Sequence, residues 1–332
     1  MTLKQLKYLV GIVDSGLNIT AAAERLYTSQ PGISKQLKQL EAELGVQLFT
    51  RKGKSLAAIT PAGREVIARA RKILREVGNI TSLASDLTSE LDGTLSIATT
   101  HTQARYVLPE VIKPFRERYP RVDLELHQGT SEQIAELIST NKVDFAIATG
   151  SRQLFAHLTL LPIYDWHRIV LVPKQHPLAK LKRPIDLQSL ASHPLVTYVF
   201  SMTGESSFKR AFRDQGLEPR VVFTARDADI IKTYVRMGMG VGVIASMAFE
   251  CKDREDLVAI DATGLFPQVT TWLGFPRDMV LRGFMVDFIH LFAPHYSPRM
   301  IREVAALPTQ EEVDELLKDV PLPVRGGCEH ER

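Results

Sequence analysis

Apolar residues recur at helical spacing in two short runs within residues 18–44, NITAAAERLYTSQPGISKQLKQLEAEL. One face of the second run is formed by Ile33, Leu37, Leu40 and Leu44. Ser29 suits an N-cap before this run, Pro31 suits its first turn, and Gly45 suits its end. The pattern predicts a helix-turn-helix whose polar, basic outer face fits the DNA major groove. A helical hairpin with a solvated charged face is the alternative.

Residues 46–60 form two short extended runs around a basic tip, which is typical of a wing beside a recognition helix. Lysine and arginine at such a tip contact phosphates and position the protein without reading sequence. A solvated hairpin tip is the alternative. The candidate DNA-binding residues are Ser29, Gln30, Pro31, Ser34, Lys35, Lys38, Arg51, Lys52 and Lys54.

A long helix is predicted from Thr60-Pro61, an N-cap followed by proline in the first turn, to about Leu91. Spacings of four and three alternate along a seam formed by Val66, Ala70, Ile73, Val77, Ile80, Ala84, Leu87 and Leu91. A seam of more than three heptads favours packing between two copies of the chain. The alternative is a helix that lies on its own body.

From Thr94 onward, short apolar runs alternate with helical segments, which indicates βαβ units and a mainly parallel sheet. Two such sets, with a late strand returning to the first, predict a two-lobed α/β body with a ligand cleft. A capping box at Thr309 and Glu312 predicts one more helix. The Pro/Gly-rich segment after it, PLPVRGGCEHER, is expected to be mobile and receives no function.

The predicted domain organisation follows from these patterns. A winged helix-turn-helix occupies residues 1–60, a linker and dimerisation helix residues 61–92, an α/β effector-binding domain residues 93–307, and a helix with a mobile tail residues 308–332. Within the effector-binding domain, the first lobe takes about 93–164 and 268–307, and the second takes about 165–267.

Charge is distributed unevenly along the chain, although its net value is only +3. Residues 1–75 carry 13 Lys/Arg against 5 Asp/Glu, a net +8, so the remaining 28 against 33 give −5. A basic head on an acidic body indicates a polyanionic partner for the head. The basic face of the predicted helix lacks the aromatic or bulky apolar residues that a membrane-binding helix would carry, so no membrane partner is expected.

Other classes of protein fit the sequence less well. Cys251 and Cys328 are too few for a disulfide framework, and no metal-binding spacing occurs, so we expect a reducing cytoplasm and no metal. No signal peptide and no transmembrane run is recognisable. The glycines of GMGVG follow a helix instead of a strand, and the nine histidines show no nucleophile–base pattern. We therefore expect neither an enzyme nor a cofactor. A solute-binding protein is disfavoured by the basic head.

The order of these parts resembles the LysR-type transcriptional regulators over nearly the whole chain. The N-terminal strings AAERLYTSQPGISKQLKQLEAELGVQLFTR and ITPAG carry this resemblance. IATTHTQARY, DADIIKTYVRMGMGVGVIASMA and DFIHLFAPH are similar to the CysB-type subfamily of sulfur-assimilation regulators. The resemblance implies a homotetramer that binds promoter DNA and contacts RNA polymerase at activated promoters. It also implies a body like type 2 periplasmic binding proteins, with acetylserine, sulfate, thiosulfate or adenylyl sulfate as effector.

The resemblance places the effector or anion site at Thr100, Thr102, Gln103, Thr149, Trp166 and Thr203. Hydroxyls, an amide and free N–H groups of a helix beginning near Arg105 would form an anion site without a cationic side chain. An individual threonine at a strand end is an N-cap in the simpler interpretation. Glu205 departs from the subfamily pattern, in which arginine follows Thr-Gly, and a carboxylate there would repel an anion or receive an amine. A regulator of sulfonate or sulfate-starvation genes with another sulfur-containing effector is therefore the alternative.

Overall fold

The computed structural model describes residues 1–53, 55–87, 92–149, 152–181, 183–202 and 206–328. They form two compact units. The first contains Met1–Leu91 with the short segments Ser139–Lys142 and Asp278–Gly283, and the second contains the rest of the chain. Lys54, Leu91, Thr203 and Glu205, which the sequence analysis singles out, lie outside the described residues.

The first unit contains the predicted winged helix-turn-helix and the long helix. Its elements are α1 (Leu3–Asp14), α2 (Ile19–Arg25), α3 (Gln30–Leu44), the antiparallel pair β1 (Phe49–Lys52) and β2 (Ser55–Ile59), and α4 (Pro61–Leu87). Ser29 caps α3 by accepting a hydrogen bond from the Gly32 N–H at 3.3 Å, and Gly45 ends α3 in the left-handed region at φ 68°. The N-terminal helices enclose an apolar core that includes Leu9, Ile33 and Leu37.

The predicted apolar face of α3 is one residue too long. Ile33, Leu37 and Leu40 are buried in the core, whereas Leu44 is 36% exposed. Leu44 is the last residue of its helix before Gly45 turns the chain away. The apolar periodicity therefore continues beyond the part of the helix that the core covers.

The face of α4 that contacts the rest of the first unit is ionic as well as apolar. Arg71 donates to the Asp14 carboxylate and to the Thr140 carbonyl, both at 2.6 Å. Of the predicted seam, Ala70 is buried in the unit's own core, but Ile73 and Ile80 are 38% and 62% exposed. The side chains of Ala84 and Leu87 lie outside the described residues, as does Leu91. The predicted pairing with a second copy remains a prediction.

The second unit contains two five-stranded sheets. Their strands are β3 (Gly93–Thr99), β4 (Val122–Gln128), β5 (Phe145–Thr149), β6 (Leu158–Trp166), β7 (Arg168–Pro173), β8 (Leu195–Tyr198), β9 (Val221–Ala225), β10 (Val241–Ala245), β11 (Leu257–Asp261) and β12 (Val269–Pro276). The first sheet has the strand order β4-β3-β5-β12-β6 and the second has the order β11-β7-β10-β8-β9. The chain passes from one sheet to the other between β6 and β7 and returns between β11 and β12, as the predicted late strand requires.

Helices and short 3-10 turns connect these strands. The helices are α5 (His101–Tyr106), α6 (Leu108–Arg118), α7 (Ser131–Ser139), α8 (Leu187–Ala191), α9 (Ser207–Arg213), α10 (Ala228–Arg236), α11 (Gly283–Phe292), α12 (Pro298–Ala306) and α13 (Gln310–Leu317). The 3-10 turns are Arg152–Phe155, Pro177–Lys180, Val199–Met202, Ser246–Ala248 and Cys251–Glu255. The predicted capping box of α13 is present, with Thr309 and Glu312 each bonding the other's backbone N–H.

The segment after α13 differs from the mobile tail that its composition predicts. Residues 320–328, which we call the C-terminal strap, pair with β6 through two backbone bonds, from the Asp165 N–H to Pro323 at 2.9 Å and from the Arg325 N–H to Asp165 at 2.7 Å. The strap then reaches the 3-10 turns that follow β10, where Cys328 forms a disulfide with Cys251. The sequence analysis did not predict this disulfide, because two cysteines 77 residues apart give no local signal of pairing.

Candidate DNA-binding and effector-binding sites

The outer face of α3 presents the predicted DNA contacts to solvent. Ser29, Gln30, Pro31, Lys35 and Lys38 are exposed, and Ser34 is half-buried. The Gln30 amide donates to the Ser34 hydroxyl at 3.3 Å, so the two side chains form one polar patch at the start of the helix. Lys35 and Lys38 make no ion pair among the described residues, which leaves both ammonium groups available for phosphates.

The wing contributes fewer free charges than its sequence predicts. Arg51 is ion-paired with Glu41 of α3 at 3.1 Å. The same carboxylate accepts the N–H groups of Leu48 and Phe49, which holds the start of the wing against the helix. Arg51 therefore orients the wing as well as presenting charge, and Lys52 is exposed beside it.

The candidate effector site begins where β3 ends. The helix that was predicted to begin near Arg105 begins at His101 instead, so Thr100 occupies its N-cap position. Thr102 and Gln103 consequently lie within the first turn of α5. The Thr100 hydroxyl makes no capping hydrogen bond, so the simpler interpretation of this threonine as a side-chain cap does not apply.

Gln103 lies deeper than a surface ligand contact and links the two sheets. Its amide nitrogen donates to Thr271 at 3.4 Å and to the Met247 sulfur at 3.9 Å, and its oxygen accepts from the Tyr164 hydroxyl. Gln103 is 1% exposed, and burial raises the pKa of Tyr164 to about 12. The amide of Gln103 is thus already hydrogen-bonded within the protein.

The other predicted site residues have free polar groups or face the second sheet. Thr149 ends β5 half-buried, opposite Thr271 in the antiparallel register. Trp166 is 3% exposed, and its indole N–H has no hydrogen-bond partner. Thr102 is hydrogen-bonded to Tyr198, whose hydroxyl also accepts the Ala245 N–H at 3.2 Å.

Arg168 lies beside these residues and was missed by the sequence analysis. Its guanidinium carbon is 5.8 Å from the centre of the Trp166 ring, and its positive charge acts on Tyr198. The side chain is almost fully buried, and burial lowers the pKa of Arg168 to about 10. The available signal was an arginine that begins the otherwise apolar strand RIVLVP.

A polar cluster connects α5 with α10 at the edge of the candidate effector site. Tyr106 donates to Asp229 at 2.7 Å, and Arg105 lies 3.4 Å from Glu250. Ligand atoms of His101, Asp227 and Asp229 come within 4.8 Å of one another. Asp227 already caps α10 and Asp229 already accepts from Tyr106, so this group carries no metal assignment.

Two family profiles match this architecture. "Bacterial regulatory helix-turn-helix protein, lysR family" matches residues 3–64, and "LysR substrate binding domain" matches residues 88–297. The chain belongs to the LysR family. Like its curated relatives, this LysR-family protein is a transcriptional regulator. It is not an enzyme, and both predictions are confirmed. Within the described residues, no helix combines the length and apolar character needed to cross a bilayer.

Individual relatives agree with this assignment. The LysR-family chain is 46% identical to the transcriptional regulator CysB of Haemophilus influenzae, over 97% of this chain and 99% of that one. It is 41% identical to SsuR of Burkholderia cenocepacia, over 90% and 96%. Among solved structures, the cofactor-binding domain of the Cbl transcriptional regulator matches with 41% identity and a TM-score of 0.61, covering 66% of this chain and 96% of that one.

Proposed function

We propose that this LysR-family regulator controls genes of sulfur assimilation and cysteine biosynthesis in the cytoplasm. It binds promoter DNA through residues 1–60, dimerises through the helix at 61–92, forms a homotetramer, and contacts RNA polymerase at activated promoters. The domain at 93–307 binds acetylserine or a sulfur oxyanion such as sulfate, thiosulfate or adenylyl sulfate. Similarity to CysB along nearly the whole chain supports this assignment.

One observation carries the effector site. The Trp166 indole N–H is buried without a hydrogen-bond partner, which is costly unless a ligand or water accepts from it. Within the described part of the chain, the hydroxyls of Thr100 and Thr149 also have no hydrogen-bond partner. Free donors on β5, β6 and the start of α5 suit an oxygen-rich anion. Thr203 completes this proposed set from outside the described residues.

The alternative function concerns the effector and the target genes. Relatives with two other names, SsuR and Cbl, match the chain at identities only slightly below that of CysB. The match to SsuR fits the alternative, a regulator of sulfonate or sulfate-starvation genes with a different sulfur-containing effector, whereas the higher identity to CysB supports the first function. The DNA-binding face and the effector site keep the same roles under either function.

A thermal-shift screen of the full chain tests the proposal. Acetylserines, sulfate, thiosulfate, adenylyl sulfate and sulfonates are compared at constant ionic strength, because a ligand that binds only the folded state raises the melting temperature. Stabilisation by an acetylserine or a sulfur oxyanion supports the first function, and stabilisation by sulfonates alone supports the alternative. If none of these compounds stabilises the protein, the effector assignment is wrong. Retention on promoter DNA tests the first unit separately.

A further inference from the structure

We propose that Arg168 is the charge-selecting contact of the effector site, where its guanidinium pairs with a negatively charged group of the effector. This inference rests on the proposed function and deepens it, because it restricts the effector to anions. Neither the sequence motifs nor the similarity to other regulators assigns Arg168 this role.

The first argument is that Arg168 has no counterion among the described residues. Arg168 is 3% exposed, and its Nε and Nη1 atoms have no hydrogen-bond partner. No carboxylate among the described residues forms an ion pair with it. A buried cation of this kind is unfavourable unless an anion joins it, because desolvation penalises the charged form.

The second argument comes from the contrast with Lys232, another deeply buried cation of the same unit. Lys232 is 2% exposed, but its ammonium group lies 2.8 Å from Asp253 and 3.4 Å from Glu250, and it donates to the Ala248 carbonyl at 3.0 Å. Acceptors therefore surround the ammonium group of Lys232. Within the described part of the chain, Nε and Nη1 of Arg168 have none.

The surroundings of Arg168 are aromatic and compensate its charge only in part. The guanidinium carbon lies 5.8 Å from the Trp166 ring centre and 5.7 Å from that of Phe266. Cation–π contacts of this length are weaker than an ion pair in a desolvated site. The Trp166 indole N–H, which also lacks a partner, belongs to a ring that Arg168 contacts. Two neighbouring side chains therefore both lack an acceptor.

An anion satisfies both side chains at once. Guanidinium donors fit the oxygens of sulfur oxyanions and carboxylates, and the indole N–H adds a neutral donor. An uncharged compound with similar oxygens would leave the guanidinium uncompensated. The site should thus bind sulfate, thiosulfate or the carboxylate of N-acetylserine and reject a neutral sulfone.

Calorimetry on the full-length protein tests this role. Sulfate, thiosulfate and N-acetylserine are the anionic probes, and dimethyl sulfone is the neutral probe. The wild type should bind at least one anion and not the sulfone. Arg168→Gln keeps polar donors but removes the charge, so affinity for that anion should fall by about 30-fold or more. Arg168→Lys should retain part of the affinity. Arg152→Gln, which removes a half-buried arginine paired with Asp314, is the matched control and should bind like the wild type.

Melting without ligand separates this role from a structural one. Removing an uncompensated buried charge should leave the ligand-free melting temperature of Arg168→Met equal to or above that of the wild type, while the anion-induced shift disappears. If Arg168→Gln binds the anion as the wild type does, or if only its ligand-free stability falls, the inference is overturned and the effector site stands. If the wild type binds none of the anions, the effector site itself is wrong and this role falls with it.

Discussion

Thr100 illustrates how a residue's position alone leaves its role open. It stands at the N-cap of α5, but its hydroxyl does not cap the helix. Gln103, by contrast, was predicted as a ligand contact, and its amide is hydrogen-bonded to Thr271 and Tyr164. For the proposed site, we therefore assign ligand contact to the free hydroxyl of Thr100 and support of the site's geometry to the bonded amide of Gln103.

Substituting Thr100 by valine tests the contact directly. Valine keeps the shape and suits the end of a strand, so the ligand-free protein should melt near the wild type. A hydroxyl that donates to a charged ligand contributes roughly 1.5–3 kcal/mol, so affinity for the effector should fall by about ten- to a hundred-fold. Calorimetry measures the affinity. Equal affinity in the two proteins would remove Thr100 from the site.

On the DNA-binding face, Lys38 and Gln30 should behave differently. Lys38→Ala removes a proposed phosphate contact, so binding should weaken on all sequences and the slope of log affinity against log salt should flatten by about one unit. Gln30→Ala should instead change which bases are tolerated. Lys318→Ala, an equal change of charge directly after α13, is the control. An unchanged salt slope for Lys38→Ala would show that Lys38 makes no phosphate contact.

At the scale of elements, α10 is joined to the 3-10 turn Cys251–Glu255 by an ionic network. Asp253 is 1% exposed and receives Lys232 at 2.8 Å and Arg236 at 2.7 Å. Burial alone would raise the pKa of Asp253, but hydrogen bonds from Lys232 and the Glu250 N–H outweigh it, so the pKa is lowered. The charged form of this carboxylate is therefore stabilised by folding.

The lowered pKa gives the sign of a pH dependence. Stability from Asp253 is present above its unfolded pKa, near 4, and is lost as the pH falls through its folded pKa. Asp253→Asn should lower the free energy of unfolding by about 3 kcal/mol at pH 7, and the difference should shrink below about pH 4. Urea unfolding at pH 7 and below about pH 4 measures this difference in the free energy of unfolding. Asp314→Asn breaks an exposed pair and should cost less than about 1 kcal/mol. Equal stability of wild type and Asp253→Asn at pH 7 would contradict this account.

The helix α4 presents exposed isoleucines that its own unit does not cover. Ile73→Asp with Ile80→Asp places charges where a second helix is expected, so sedimentation should show a loosened assembly while far-UV circular dichroism stays unchanged. Arg69→Asp with Lys72→Asp alters exposed positions of the same helix outside the seam and should leave the assembly intact. An unchanged oligomer in the isoleucine variant would show that α4 pairs through another face.

At the scale of the whole molecule, local patterns in the sequence predicted most of the architecture. Periodicity and caps gave the helix-turn-helix, the wing and the α/β body, because each depends on neighbours within a few residues. The features that were missed depend on distant residues. Arg325 bonds to Asp165, and Cys251 pairs with Cys328 across 77 residues. Arg168 was missed for a related reason, since its lack of a counterion is visible only after folding.

The strap makes a prediction about redox conditions. A disulfide that closes a loop of this length stabilises a protein by up to about 4 kcal/mol, mainly through the unfolded chain. Cys328→Ser should therefore lower the melting temperature, and dithiothreitol should lower that of the wild type to the same value. Cys328→Ser is also the control for the reductant, because dithiothreitol should not change the melting temperature of this variant. A wild type that melts identically with and without dithiothreitol would show that the two thiols are unpaired in solution.

The strap also changes how mutations near the 3′ end of the coding sequence should be interpreted. Arg325 and Cys328 bond to residues around both sheets of the second unit, so a premature stop codon after Val320 would remove contacts of Asp165, Ser246 and Phe249. Under the proposed function, we expect such an allele to weaken the response to the effector while leaving the sequence of the DNA-binding unit unchanged. In a cell that also carries the wild-type gene, we expect shortened subunits that still bind operators to compete with the wild type.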